Sequence, residues 1–215
     1  MRNKDMQGFV LLGNGGHASS CRDIVESIRD YSISAGGRLR IAEVIEDTRV
    51  LTSEEWDDLV NHSPAFILGI GQIHDANPRM DAAWEIHKRG GRIATLISPF
   101  ARVSPDSIIR EGTVVMPGAV VNRGAVVGDC CILNTGCIVE HFANVQAFTH
   151  ISTGAVINGD CIVGQRSFIG SNAVLLNQIT VGHDITVGAG SVVTKNLSEK
   201  GIYCGNPAVF LKPKD

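Results

Sequence analysis

The sequence predicts a chain in two parts: a small α/β domain over residues 1–97, then a solenoid of short stacked β-strands over residues 98–215. Three observations carry that prediction. Residues 1–97 alternate short apolar runs with helix-like stretches, the mark of an α/β unit. A glycine cluster closes the first apolar run, in "VLLGNGGHA" from Val10 to Ala18. From Val103 onward an aliphatic residue returns at every sixth position, and a fixed period of that kind marks a repeat architecture.

In the α/β part, "FVLLG" (Phe9 to Gly13) is expected to be a first strand and residues 17–30 a helix. "LRIAEVIED" (Leu39 to Asp47) follows as a second strand, and "SEEWDDLV" as a helix N-capped by Ser53 ahead of two acidic residues. "AFILGIG" (Ala65 to Gly71) is the third strand, "PRMDAAWEIHKRG" a helix with Pro78 near its start and Gly90 past its end, and "RIATLI" the fourth strand. The order is Rossmann-like, βαβαβ. It amounts to half of a dinucleotide fold, which needs two such mononucleotide-binding halves. In the spacing G-x-G-x-x-A the glycines permit a tight bend and close backbone approach to a phosphate, and the helix that follows aims its N-terminus at the anion. A phosphate cradle is therefore expected, without a nicotinamide or flavin cofactor.

Taking every sixth residue from Val103 to Val193 gives sixteen aliphatic side chains with no break in register. The residue after each anchor is mostly glycine or polar, as at Gly128, Asn134, Gly164 and Gly170. The residue four after it is mostly small, as at Thr113, Ala119, Cys131 and Ala155, with Ile179 and Ile185 as exceptions. An inward aliphatic residue, a turn-tolerant neighbour and a small corner residue describe short strands joined by tight turns. Anchors stack on anchors, so burial runs the length of the coil.

Composition narrows the partners. A formal net charge of −3, from 19 basic and 22 acidic side chains without blocks, offers no basic stripe to a nucleic acid. No run approaches the roughly 18 apolar residues of a membrane span, and the first residues lack the apolar core of a signal peptide. A cytoplasmic protein with no membrane partner is expected. The six cysteines, Cys21, Cys130, Cys131, Cys137, Cys161 and Cys204, contain no C-x-x-C pair and are expected to be small buried thiols.

The repeat [Ile/Val/Leu]-Gly-x4 resembles that of the hexapeptide-repeat acyltransferases. This implies a left-handed parallel β-helix with three hexapeptides per triangular coil, hence five coils for the fifteen hexapeptides from Val103 to Val192. The arrangement of "GNGGHA" ahead of a coil containing "NTGCIVEH" and "THISTGAVING" resembles the nucleotide-sugar N-acetyltransferases of bacillosamine, legionaminic acid and perosamine synthesis. The same family is also described as sialic acid O-acetyltransferases, so transfer to a hydroxyl of a sialic-acid-like sugar is the alternative reaction.

The resemblance implies a role for particular residues. His141 matches the catalytic base, taking the proton lost as an amine attacks the thioester of acetyl-CoA. His150 matches the residue that meets the thioester, where a ring N–H would stabilise a developing oxyanion. Ser171 and Ala189 would offer backbone groups to the pantetheine arm, in a groove between subunits of a homotrimer. Gly15, Gly16 and His17 would hold the sugar nucleotide's phosphates, with Glu46 and Asp47 near its base and ribose and Gly71 lining the same crevice. The tail "GIYCGNPAVFLKP" resembles the segment that walls the coenzyme site.

One position departs from the family. Relatives carry an acidic residue directly after the catalytic histidine, and here Phe142 stands there. Glu140 precedes His141 and is the candidate to orient it, although neighbouring residues on a strand point to opposite faces. Phe142 is also the feature that keeps open a non-catalytic, sugar-nucleotide-binding trimer. No metal is expected, since a zinc hydratase on this coil needs three converging histidines and the close pair five residues apart is absent.

Overall fold

The computed structural model describes residues 8–32, 40–63 and 65–214. They form two compact units, the described part of Met1–Gly71 with Asn77–Pro99, and Gln72–Ala76 with Phe100–Asp215.

The first unit is a parallel sheet in the order β2-β1-β3, built from β1 (Gly8–Leu12), β2 (Arg40–Ile45) and β3 (Ala65–Leu68). Helix α1 (Gly16–Ser32) follows β1, α2 (Ser53–His62) follows β2, and α3 (Asn77–Lys88) follows β3. The sequence reading of the second strand began at Leu39, which lies outside the described residues. Ser53 is the first helical residue of α2 and not its cap: the Thr52 hydroxyl accepts from the Glu55 N–H at 3.2 Å while Glu55 Oε2 accepts from the Thr52 N–H at 2.8 Å. A cap at Ser53 would have Trp56 three residues on, whereas Thr52 has Glu55 there, which closes both donors reciprocally. The expected fourth strand over 92–97 shrinks to a single bridge, Phe66 with Ile93, and the two-residue β4 (Leu96–Ile97).

The turn after β1 needs its first glycine. Gly13 has φ +105°, and a Cβ there would stand 2.9 Å from the Gly69 carbonyl oxygen. Arg79, read from sequence as an ordinary helix residue, is fully buried, and its Nη1 donates to the carbonyls of Leu68 at 2.6 Å and Ile70 at 2.8 Å. Burial pushes the nearby Cys21 thiol up to about 12, with the Arg79 charge pulling the other way.

The second unit is a left-handed parallel β-helix of about six turns. Its two-residue strands run from β5 (Arg102–Val103) to β20 (Val192–Val193). Up to Val174–Leu175, each is hydrogen-bonded to the strand eighteen residues on, as in Ile132 with His150, Ile138 with Val156 and Asn144 with Ile162. Three faces result, led by the outward residues Ile132 and His150, Ile138 and Val156, and Asn144 and Ile162. The anchors from Val115 onward are wholly buried and form one continuous core.

Every sixth residue from Gly112 to Gly190 has a positive φ, six of them glycine and eight not: Cys130, Phe142, Phe148, Asp160, Arg166, Asn172, Gln178 and Asp184. This left-handed residue turns each corner, at about 1–2 kcal/mol where a Cβ is present. Periodicity in hydrophobicity could not mark it, because side chains as different as Cys, Phe, Asp and Arg fill a position defined only by backbone angle.

The tail extends the coil beyond the five coils expected. β21 (Ile202–Cys204) adds a parallel rung beside Thr186–Val187, and β22 (Val209–Lys212) returns antiparallel to it. Cys204 is only half-buried; the other five cysteines are buried, and burial pushes the Cys137 thiol up to about 12.

Candidate active site

In the first unit, the glycine turn gathers most of the residues expected there. Apart from its chain neighbours and its own helix, nothing stands within 4 Å of where a Cβ would sit on Gly15 or Gly16, so there is open space beside the glycine turn at the start of α1. A Cβ on Gly71 would meet His17 Cβ at 3.5 Å, which places these two residues side by side. Glu46 is drawn to the turn by Asn14, whose Nδ2 donates to Glu46 Oε1 at 2.9 Å, while Arg22 Nη2 donates to Asn14 Oδ1 at 3.3 Å. Asp47 turns elsewhere. Its carboxylate accepts from the Arg49 backbone N–H and guanidinium, and those bonds hold it down at about 2. Asn14 and Arg22 were missed by the sequence reading, although Asn14 lies inside the motif it quoted.

In the coil, the candidate residues fall on two different edges. Asn134, Ser171 and Ala189 lie at the edge between the face led by His150 and the face led by Val156, with His150 entering that edge. The next edge, beyond the face led by Val156, carries His141 and Phe142. Nine residues are one and a half hexapeptides, so His141 and His150 cannot share an edge of one chain.

His141 is exposed, and its ring lies over Gly159 of the following coil, where a Cβ would collide with it. Phe142 meets the ring edge-on, with centroids 5.6 Å apart and planes at 75°. Phe142 adopts φ +58°, is 61% exposed and covers Gly124 of the preceding coil. Glu140 Oε2 accepts from the His141 backbone N–H at 3.3 Å, so its carboxylate engages the main chain. Among the described residues, no carboxylate is hydrogen-bonded to the His141 ring.

His150 is buried and its ring nitrogens face two polar groups. Nδ1 stands 2.5 Å from the Gln72 carbonyl oxygen and Nε2 3.2 Å from Asn134 Nδ2, with the Phe168 ring edge-on at 5.1 Å. The Gln72 side chain donates through Nε2 to the Phe148 carbonyl at 2.6 Å. Ser152 and Ser171 hydroxyls pair at 3.0 Å, and Ala189 is exposed, its amide 2.6 Å from where a Cβ on Gly170 would sit. Gln72 carried no sequence signal, since nothing in "GIGQIHD" marks a residue bound for the coil. Among the described residues, no cluster of His, Cys, Asp or Glu is arranged to hold a metal ion.

No family model and no curated protein sequence matches the chain at a significant level. Solved structures do. The acetyltransferase domain of PglB from Neisseria gonorrhoeae FA1090 is 28% identical with a TM-score of 0.80, over 95% of this chain and all of that one. The same domain in complex with acetyl coenzyme A gives a TM-score of 0.82 at 28% identity, over 96% of this chain and 100% of that one. The chain is built like the sugar acetyltransferases of the hexapeptide family. Perosamine N-acetyltransferase PerB from Caulobacter crescentus, solved in complex with CoA and GDP-perosamine, adds a TM-score of 0.79 at 26% identity, covering 95% of this chain and 97% of that one. This sugar-acetyltransferase architecture, shared end to end, supports an acyltransferase enzyme. No helix among the described residues is long and apolar enough to cross a membrane.

Proposed function

We propose that the chain is an acetyl-CoA-dependent N-acetyltransferase acting on the amine of a nucleotide-linked amino sugar, UDP-linked 4-amino-4,6-dideoxy-N-acetylglucosamine being the first choice. The observation that carries this reading is the likeness, over 95% or more of the chain, to acetyltransferases solved with acetyl-CoA and with CoA and GDP-perosamine. The open space at Gly15 and Gly16, at the N-terminus of α1 and beside His17 and Gly71, suits a sugar diphosphate, and Glu46 offers an acceptor for a hydroxyl or base N–H.

The amine nitrogen attacks the thioester carbonyl carbon. A C–N bond forms, the C–S bond breaks, and His141 takes the amine proton and passes it to the leaving thiolate. No acetyl-enzyme is formed. His150, Ser171 and Ala189 line the acetyl-CoA end. Glu140 supports the His141 main chain, and the ring is left to a second chain or to the substrate for its partner.

A homotrimer belongs to the same proposal. The face between the two candidate edges shows an unbroken outward stripe of half-buried aliphatics, Val120, Ile138, Val156, Val174 and Val192. Such a stripe suits burial against another copy, which would set the His141 edge of one chain against the His150 edge of its neighbour. A cytoplasmic role in glycan biosynthesis follows from the same substrates. The test is thiol release from acetyl-CoA with UDP-, GDP- and dTDP-linked amino sugars; turnover of a free nonulosonic acid in preference to all of them would overturn the assignment.

A further inference from the structure

We propose that Gln72 is a positioning residue that fixes His150 as a neutral ring with its proton on Nδ1, so that His150 walls the thioester end and donates no proton there. The functional part of this statement rests on the reading of the coil as an acetyl-CoA site. The hydrogen-bond part does not.

The protonation follows from the partners. A carbonyl oxygen only accepts, so the 2.5 Å approach of Nδ1 to the Gln72 oxygen places a proton on Nδ1. The orientation of the Asn134 amide is set on its other side, where Oδ1 accepts from the Thr135 N–H at 2.7 Å. Asn134 therefore turns Nδ2 toward His150 Nε2, and a donor faces that nitrogen. A proton on Nε2 would confront it. The tautomer is thus assigned from the network on both sides of the ring.

Gln72 holds its carbonyl in place with its own side chain. Residue 72 is 3% exposed, and Nε2 is tied to the Phe148 oxygen at 2.6 Å. The same amide leaves Oε1 buried and without a hydrogen-bond partner among the described residues. An apolar side chain of similar length would avoid that unmatched acceptor and would lose the anchor.

This arrangement changes what His150 can do. Its Nδ1 proton is already given, and its Nε2 lone pair already faces a donor. The sequence-level expectation of an oxyanion-stabilising ring N–H is replaced by a fixed aromatic wall whose orientation depends on residue 72.

Long-range proton–nitrogen NMR on the nitrogen-15-labelled full chain reads this directly, with the His150 signals identified by their loss in His150→Gln. The expected pattern is a single Nδ1–H tautomer; an Nε2–H tautomer or an exchanging mixture in the parent protein would overturn the proposal. In Gln72→Met the pattern becomes a mixture, and the KM for acetyl-CoA rises about tenfold, the scale of one lost hydrogen bond, with kcat changed by less than about threefold. A folded Gln72→Met with the parent pattern and the parent KM would also overturn it. If Gln72→Met does not fold, the parent spectrum alone decides. If no sugar is acetylated at all, the proposed function fails while the tautomer is still read, and acetyl-CoA affinity by calorimetry replaces KM.

Discussion

His141 and Phe142 are consecutive residues at one corner of the coil. His141 reaches solvent because Gly159 in the next coil leaves room for its ring, and Phe142 is bent into a left-handed conformation beside it. Replacing His141 with alanine is expected to lower turnover roughly 10²-fold or more, the loss of a general base, as measured by steady-state thiol release. Gly159→Ala tests the geometry separately. Its Cβ would push the flexible ring aside while leaving the backbone intact, so kcat falls and the melting temperature stays near that of the parent. Phe142→Asp places a carboxylate where an aromatic edge now stands. A nearby anion favours the imidazolium over the neutral ring. The base acts only when neutral, so the acid limb of kcat/KM moves to higher pH than in the parent; an unmoved limb would mean that residue 142 does not act on the base.

Elements show where sequence pattern stops being informative. The β-helix was legible because each strand buries one anchor per hexapeptide, so that the core is written into the sequence at a fixed period. The α/β unit was legible as alternating runs, yet its boundaries depended on local chemistry: Thr52 won the cap from Ser53 because Glu55 sits three residues beyond it. Thr52→Ala is expected to cost about 1 kcal/mol of stability, read from urea unfolding. Arg79 escaped notice because its neighbours in "PRMDAAW" give no sign that its charge turns inward to hold the end of β3. In the coil, the Arg166 guanidinium binds Asp184 one rung on, at 2.7 and 2.9 Å, and holds its carboxyl below the usual range. A depressed carboxylate stabilises the fold above its unfolded pKa, near 4. That stabilisation is lost as pH falls through the folded value, so part of the loss of the urea midpoint below about pH 4 should vanish in Asp184→Asn.

For the whole molecule, the candidate residues could be nominated from the sequence one by one, but the groups each of them faces in space could not. Hexapeptide counting places His141 and His150 one and a half repeats apart, and triangular geometry then puts them on different edges. Gln72 was illegible for another reason, since it joins the coil through a segment inserted in the α/β part of the sequence. The aliphatic stripe from Val120 to Val192 is the surface on which a trimer would depend. Val156→Asp should therefore reduce the mass measured by light scattering from that of three chains to one, with activity falling in parallel.

Acetyl transfer to a nucleotide-linked amino sugar is read most directly as thiol release from acetyl-CoA with a panel of such sugars, each product checked by mass. The expected result is turnover of a UDP-, GDP- or dTDP-linked amino sugar, one added acetyl group on its amine, and loss of that turnover in His141→Ala. No turnover with any member of the panel, or an acetyl group found on a hydroxyl, would contradict it.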